Sequence, residues 1–288
     1  MTWVNDVVQG IFLGGAYALT AVGLSLMFGV MRLVNLAHGD LAVCGTYLVT
    51  TVMAALGVPL WAALCVMLPI AFCIGALLQL VLFDRALRSG PVAPLLVTFG
   101  LSVMLENLLQ QVYSANTRGV PAGSLDVAAL HLGALVLPWL SMLKLILAVA
   151  VIGGLSAALR LTTWGRRVRA TSDDLAVARL QGIRVRPLFA SVTGIAIAAA
   201  VLAGTLNSVT TGVAPTLGAL TLIFAFEAVI IGGLGSLWGT LLGGMLIGVT
   251  QVVVAQVSVS YATLASQLLF LVVLAVRPTG LLGTAQAA

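Results

Sequence analysis

Long apolar runs alternate with short polar breaks along almost the whole chain. Residues 7–31 hold 25 positions without a charged side chain, and runs with at most one charge follow at 41–56, 60–83, 94–113, 132–159, 188–206, 215–231, 238–257 and 261–276. A helix needs about 20 apolar residues to cross a bilayer. The pattern therefore predicts an all-α fold, a polytopic transmembrane helical bundle of about 8–10 spans. Because no break is long or polar enough for a soluble unit, we expect one transmembrane domain over residues 1–288.

Composition excludes a water-soluble surface. Hydrophobic residues make up 61% of the chain and charged residues only 7%, whereas soluble domains carry about 25% charged residues. The net charge of +5 indicates contact with anionic membrane lipid and not with nucleic acid, because no basic surface interleaved with aromatic residues accompanies it. Cys44, Cys65 and Cys73 lie in apolar runs without a CxxC pair, so we interpret them as small buried hydrophobic residues.

The largest polar interruption is the segment 160–187. It carries seven of the 13 Lys and Arg residues, namely Arg160, Arg166, Arg167, Arg169, Arg179, Arg184 and Arg186. Basic connections between spans remain on the cytoplasmic side of a membrane, so we expect this loop to be cytoplasmic. Arg32, directly after the first run, then predicts an N-terminus outside, and nine crossings bring the C-terminus to the cytoplasm after Arg277.

A short helix is predicted inside the 160–187 segment. Ser172 is a suitable N-cap, Asp173 and Asp174 would lie in the first turn, and Gly182 is a natural stop, so we expect a two-turn helix over residues 173–181 along the cytoplasmic face. Ala178 belongs to a side of small residues that would suit insertion into a groove of another protein. The alternative is a solvated loop that only fixes the topology.

Residues 31–49 combine an apolar background with Asn35, His38, Gly39 and Asp40. One interpretation is a cytoplasmic turn in which Asp40 caps the next helix. The other is a broken helix that lines a translocation route, because polar and irregular backbone at membrane depth must face protein or a water-filled cavity. One His and one Asp supply too few ligands for a metal site.

Two further acids fall within apolar runs. Glu106 shares a helical face with Gln110, and that face either lines a polar interior or lies at the wet outer boundary. Glu227 is a lone acid in its span and is expected to face the interior or the cytoplasmic boundary. The candidates for a translocation path are therefore Asn35, His38, Asp40, Glu106 and Glu227.

Glycines recur at a spacing of four residues near the C-terminus. They are Gly235, Gly239 and Gly243, with Gly244 and Gly248 repeating the spacing. Small residues at this spacing allow membrane helices to approach closely, so we predict that these five pack helix against helix. A dinucleotide site is excluded because the third glycine position is Trp238, and the sequence contains no P-loop or HExxH motif. We therefore expect no catalytic residue, cofactor or metal in this chain.

Several motifs resemble the permeases of bacterial ABC importers for branched-chain amino acids, the high-affinity leucine/isoleucine/valine system. They are GLSLMFGVMRLVNLAHGDLAVCGTYLV at 23–49, WGRRVRATSDDLAVARLQGIRV at 164–185, VIIGGLGSLWGTLLGGMLIGV at 229–249 and RPTGLLG at 277–283, with a looser match in PLLVTFGLSVMLEN at 94–107. One feature departs from the family pattern. Members often carry a basic residue shortly before the GGxGS connection, where this chain has Glu227.

The resemblance implies a bacterial inner-membrane subunit that pairs with a second permease, two cytoplasmic ABC ATPases and a periplasmic substrate-binding protein. ATP and Mg²⁺ would be bound by the ATPases, and this subunit would not be an enzyme. It also implies an ATPase-coupling segment with Arg166, Arg169, Ser172, Asp173, Asp174, Ala178, Arg179 and Gly182. The outer loop 114–130, with Arg118 and Asp126, is the expected docking surface for the binding protein.

The resemblance alone implies the substrate class, branched-chain or other small amino acids. Urea and short amides are alternatives, because relatives in the family carry them. A secondary transporter or channel is a different class of function. It would need coupling acids within the spans, and Glu106 and Glu227 are the acids available.

Overall fold

The computed structural model describes residues 2–90, 92–121, 129–132 and 135–283. Within these ranges the elements are α1 (Thr2–Met31), α2 (His38–Leu56), α3 (Leu60–Leu78), α4 (Asp84–Arg88), α5 (Ala93–Tyr113), β1 (Ala129–Leu132), β2 (Leu135–Pro138), α6 (Trp139–Leu161), α7 (Thr163–Asp173), α8 (Leu175–Leu180), α9 (Val185–Thr211), α10 (Leu217–Gly232), α11 (Leu237–Ala255) and α12 (Val259–Val276). Eight helical stretches in the described residues are long and apolar enough to cross a membrane, and α10 is a shorter apolar helix. The predicted polytopic helical bundle is confirmed.

The first helix, α1, lies at the centre of the bundle. It packs against α6, α9, α10 and α11, and its contact with α11 is the most extensive in the described chain. Small residues make this contact possible, because the backbone of Gly14 lies against Gly244 and the backbone of Gly10 against Gly248. Helices α5 and α12 pack at the periphery and leave most of their surface exposed, as expected of helices that face lipid.

The bundle has two ends. We call one of them the arginine end. Helices α1, α4 and α12 finish there, and the short helices α7 and α8 lie there. The opposite end carries the start of α1, where Asp6 accepts a hydrogen bond from Gln256 at 3.0 Å. At that opposite end the backbones of Arg118 and Val213 exchange two hydrogen bonds of 2.8 Å. Residues 122–128 of the predicted outer loop, Asp126 included, lie outside the described residues.

The predicted start of the fifth span at residue 132 is wrong. A hairpin precedes the helix instead, with β1 and β2 antiparallel and Leu132 opposite Leu135. Apolarity does not separate a strand from the beginning of a buried helix. Pro138 then marks the boundary, because the residue before a proline disfavours the α conformation and α6 starts directly after it.

The span 60–83 is longer than predicted. The helix runs without interruption from Leu60 to Arg88 through a π-helical turn, Gln79–Phe83. The buried Gln79 of that turn accepts a hydrogen bond from Thr193 of α9 at 2.7 Å. Asp84 and Arg88 then pair at a spacing of four residues, which favours one further helical turn where the sequence predicted a loop.

The cysteines of α3 are also placed differently from the prediction. Cys65 and Cys73 are exposed, and Cys44 is half-buried. A membrane helix meets an apolar environment on its outer face as well as its inner face, so a small apolar side chain is not restricted to the protein interior.

Candidate functional site

The arginine end carries two consecutive short helices where one was predicted. The predicted N-cap at Ser172 is wrong: Ser172 and Asp173 lie in the last turn of α7, which is capped by Thr162. Asp174 is the N-cap of α8, and its carboxylate accepts from the backbone N–H groups of Ala176 and Val177 at 2.8 and 3.0 Å. An aspartate caps a helix as well as a serine does. The residues before Ser172, which the prediction treated as loop, form α7, and this helix extends through Ser172 to Asp173. The cap of the next helix is therefore Asp174 and not Ser172.

Gly182 ends α8 as predicted for a stop. Its φ of 77° lies in the left-handed region, which glycine adopts without steric cost. The N–H of Ile183 donates to Ala178 at 3.1 Å, and that of Gly182 to Arg179 at 3.0 Å. These two bonds form the Schellman pattern that satisfies the last carbonyls of a helix. Both ends of α8 are therefore fixed.

The exposure of α8 differs from the predicted small-residue docking side. Ala178 is 1% exposed and packs within the chain, whereas Val177 is 46% and Leu180 is 87% exposed. Of the remaining candidates for ATPase coupling, Ser172 is partly buried, and the others are exposed, namely Arg166, Arg169, Asp173, Asp174, Arg179 and Gly182. The outward face of α8 thus combines apolar side chains with flanking charges.

The two short helices are attached firmly to the bundle. Trp164 at the start of α7 donates from its indole nitrogen to Ser191 of α9 at 2.9 Å. Arg169 donates to the carbonyl of Leu159 at the end of α6. Helix α7, which directly precedes α8, is therefore hydrogen-bonded to both α6 and α9.

A charged groove of about 780 Å³ lies beside α8. Its walls come from the ends of α1 and α4, from α8 and from the start of α9. Asp84 accepts from Arg88 at 2.9 Å and from Arg186 at 2.8 Å, so one carboxylate joins α4 to α9. The groove and the exposed face of α8 are adjacent features of the same end.

The chain between α1 and α2 is buried and irregular. Leu33, Asn35 and Ala37 are each almost fully buried. The ring of His38, the first residue of α2, donates from Nε2 to the carbonyl of Thr20 at 3.0 Å. Thr20 precedes the end of α1 by eleven residues (31 minus 20), or about 16 Å of helix.

That distance places the start of α2 deep in the bundle. The hydrocarbon core of a bilayer is about 30 Å thick, so residues 32–37 return into it before α2 begins. Non-helical backbone at such depth requires burial in protein, which matches the burial of this segment. The geometry is that of the broken-helix interpretation. Asn35 helps to shape the break by accepting from the N–H of Ala37 at 3.1 Å.

Asp40 lies where the first turns of two helices meet. Gly39 and Asp40 of α2 pack directly on Gly218 of α10, close enough that an added Cβ on either glycine would clash. Ser102 of α5 donates to the carboxylate of Asp40 at 2.5 Å. The first turns of α2 and α10 and the hydroxyl of Ser102 therefore meet at one buried carboxyl group.

The two other predicted acids lie in different surroundings. Glu106 is one helical turn beyond Ser102 and accepts from Gln110 at 3.1 Å, so these three form a half-buried polar row on α5 beside α2. Glu227 of α10 is buried, and its Oε2 has no hydrogen-bond partner among the described residues. The structure brings Asp40 close to the α5 row and leaves Glu227 apart from it.

A cavity of about 310 Å³ lies between α1, α2, α6, α9 and α10. It contains Lys144, which the sequence analysis did not select. Lys144 is 5% exposed and donates to Thr210 of α9 at 3.0 Å. One signal could have identified it, because it is the only lysine of the chain and lies in an apolar run.

The predicted packing glycines fall into three groups. Gly244 and Gly248 contact α1, while Gly239 and Gly243 contact the end of α10. Gly235 precedes α11 and lies in a turn with φ 82°. Beside that turn, the N–H groups of Leu281 and Leu282 donate to Ile231 and Gly232 at 2.9 and 3.0 Å. This contact joins the two glycine-containing C-terminal motifs.

The described residues contain no group of three or more His, Cys, Asp or Glu side chains that could hold a metal ion. What the fold does provide is a helical membrane bundle with a broken helix, an internal cavity and a charged surface with exposed apolar side chains at one end. These features define a class of protein, the polytopic membrane transport proteins.

Comparison with known proteins identifies the family. The family described as branched-chain amino acid transport system / permease component matches residues 7–276, and the chain belongs to it. The high-affinity branched-chain amino acid transport system permease protein BraD of Pseudomonas aeruginosa is 30% identical, over 98% of this chain and 96% of BraD. LivH of Escherichia coli K12, which bears the same description, is 29% identical over the same shares.

A more distant relative is the probable branched-chain amino acid transport permease protein LivH of Methanocaldococcus jannaschii. It is 24% identical over 92% of this chain and 88% of its own length. No solved structure matches the chain. The similarity to the named permeases extends almost from end to end, so it covers both the broken helix and the α7–α8 segment.

Proposed function

We propose that this chain is the membrane-spanning permease subunit of an ATP-binding-cassette importer that moves branched-chain or other small amino acids into the cytoplasm. Family membership over residues 7–276 supports the transport role. The substrate class follows the relatives, which are named as branched-chain amino acid permeases over almost their whole length.

The proposed route of energy coupling runs through α8. One observation carries it: α8 is fixed at both ends yet exposes Leu180 at 87%. Leu175, Val177 and Leu180 are all exposed on this short helix, and such a group of apolar side chains is suited to contact with another protein because covering it removes apolar surface from water. The proposed partner there is a cytoplasmic ABC ATPase that binds ATP and Mg²⁺, while this subunit carries out no catalysis.

Charge distribution supports the proposed orientation. The arginines of 160–187 belong on the cytoplasmic side, so the arginine end would face the ATPases. The N-terminus would then lie outside and the C-terminus in the cytoplasm of a bacterial inner-membrane protein. The opposite end, with residues 114–121, would receive the periplasmic binding protein. A second permease, either a copy or a homologue, would complete the pore.

The mechanism follows from these attachments. Closure of the ATPases on ATP would displace α8, and the Trp164 and Arg169 contacts would transmit the movement to α9 and α6. These helices pack against α1, around which the bundle is built. The helices would thereby rock between outward-open and inward-open states around the break between α1 and α2.

Reconstitution tests this function. The complete complex in proteoliposomes is expected to accumulate radiolabelled leucine, isoleucine or valine only with ATP on the ATPase side and the binding protein on the other. An ATPase variant that binds but cannot hydrolyse ATP is the matched control and should abolish uptake. Uptake by the permease alone would show a secondary transporter or channel, and uptake of urea or acetamide in preference would correct the substrate class.

A further inference from the structure

The cavity between α1, α2, α6, α9 and α10 extends to the last turn of α9 and therefore lies toward the opposite end of the bundle. Leu145 of α6 packs against Gly15, which is close to the midpoint of the 30-residue α1. Lys144, the neighbour of Leu145, donates to Thr210 in the last turn of α9, so its ammonium lies between that level and the opposite end of the bundle. The volume of about 310 Å³ is at the small end of the range for ligand pockets, roughly 300–1,000 Å³. It suits a small solute.

One side of the cavity is polar. Its groups come mainly from the last turns of α9 and include Asn207, Ser208, Thr210 and Thr211. Asn207 donates from its side chain to the hydroxyl of Thr20 at 3.3 Å, so the polar groups of α9 and α1 form a connected set. These groups offer hydroxyl and amide oxygens beside the single ammonium of Lys144.

The remaining walls are apolar. The rings of Tyr17 and Phe224 stack with centroids 4.9 Å apart. Leu13, Leu217 and Leu220 line the cavity with them. A site that places one cation and several oxygens opposite aliphatic and aromatic carbon matches a molecule with an ionised end and an apolar end.

We propose that this cavity is the intramembrane binding site for the transported amino acid. The ammonium of Lys144 binds its carboxylate, oxygens at the C-terminal end of α9 accept from its amino group, and the Leu13–Leu217–Leu220 side holds its aliphatic chain. The inference rests on the proposed function and names the site that such a permease would use.

A purely structural role for Lys144 makes different predictions. A cation near the last turn of α9 would stabilise that helix through its dipole. In that case substitution of Lys144 would lower thermal stability and leave ligand selectivity unchanged. A ligand-binding role instead makes recognition depend on the carboxylate of the ligand. The two roles are therefore separated by a comparison of ligands and not by stability.

The experiment measures binding directly, in the permease–ATPase complex without the binding protein. Cys44, Cys65 and Cys73 are replaced by serine, and Thr221→Cys supplies one thiol in the cavity wall. The rate of its reaction with a small methanethiosulfonate reagent is recorded across leucine and leucinamide concentrations. Leucine is expected to slow labelling, and leucinamide, which lacks the carboxylate, is not.

Variants then assign the roles. Lys144→Met is expected to weaken leucine protection by about 10- to 100-fold, the range for loss of a charge-assisted hydrogen bond, and Lys144→Arg to retain it. Ile146→Met, on the exposed face of the same helix, is the matched control and should protect as the parent does. Leu220→Trp, which keeps Lys144 intact, should remove protection by leucine while alanine still protects.

The proposal is overturned if leucine protects Lys144→Met as well as the parent, or if leucinamide protects as well as leucine. It is also overturned if leucine gives no protection in a complex that performs ATP-driven leucine uptake, and the proposed function then stands. If the intact complex takes up no amino acid, the proposed function fails, and the labelling result still decides whether the cavity binds one.

Discussion

The contact between α1 and α11 makes one prediction that can be worked out in detail. A Cβ added at Gly248 would lie 2.8 Å from the Cα of Gly14, with backbone atoms of Gly10 and Gly14 nearer still. Backbone atoms cannot turn aside as a flexible side chain can. In Gly248→Ala, therefore, α11 must shift away from α1 along the most extensive helix contact of the described chain.

The magnitude follows from two opposing effects. Overpacking of a well-packed contact costs about 1–3 kcal/mol, while Ala in place of Gly in a helix gains up to about 1 kcal/mol. Gly153→Ala in α6 is the matched control, because nothing lies within 4 Å of its added Cβ. Since both variants share the helix gain, they should differ by about the overpacking cost, or roughly 2–12 °C in melting temperature.

The assay is the monodisperse fraction of detergent-purified protein after heating, recorded by size-exclusion chromatography over a temperature series. Gly248→Ala is expected to aggregate at a lower temperature than Gly153→Ala. ATP-driven uptake should fall in the first variant and persist in the second. Equal melting temperatures for the two variants would refute the reasoning, because they would show that α1 and α11 are not in backbone contact.

Three further predictions concern α8, the ion pair and the broken helix. Leu180→Glu should uncouple ATP hydrolysis from uptake when both are measured in proteoliposomes. Val276 is also highly exposed at the same end, and Val276→Glu should leave the two coupled. Equal effects of the two variants would contradict docking through α8. Asp84→Asn should lower the free energy of unfolding by no more than about 1 kcal/mol, because the two arginines are exposed; a larger loss in thermal unfolding would contradict this. Ser102→Ala should cost about 1–3 kcal/mol by leaving the buried carboxyl of Asp40 without this hydrogen bond, and unchanged melting would show that the bond is absent.

The spans were predictable because hydrophobicity and length suffice to identify them. The boundaries of the helices were less predictable wherever one sequence pattern is compatible with two different structures. The predicted span 132–159 includes Leu132 and the whole of β2, since apolarity alone does not distinguish strand from helix. At α8, Ser172 and Asp174 are both good caps, and the periodicity of the preceding α7, with Gly165, Val168 and Thr171 buried on one face, decides between them.

The candidate site depends on contacts that no local pattern contains. Asn35, His38 and Asp40 could be selected as unusual polar residues in an apolar run. Their placement against Thr20, Ser102 and Gly218 depends on how α1, α5 and α10 pack, which the sequence of any one segment does not specify. The outward face of α8 is a similar case. Burial of Ala178 and exposure of Leu180 depend on how α8 packs against the rest of the chain, which the sequence of α8 does not specify.

Position 180 also provides the most direct measurement of the central claim, that ATPase energy enters through the arginine end. In a variant without native cysteines, Leu180→Cys is combined with a thiol in the groove of the ATPase and oxidised in membranes. The account predicts one permease–ATPase cross-link, and no labelling of Cys-substituted position 180 by a membrane-impermeant maleimide in intact cells. Labelling from outside the cell, with no cross-link to the ATPase, would contradict it.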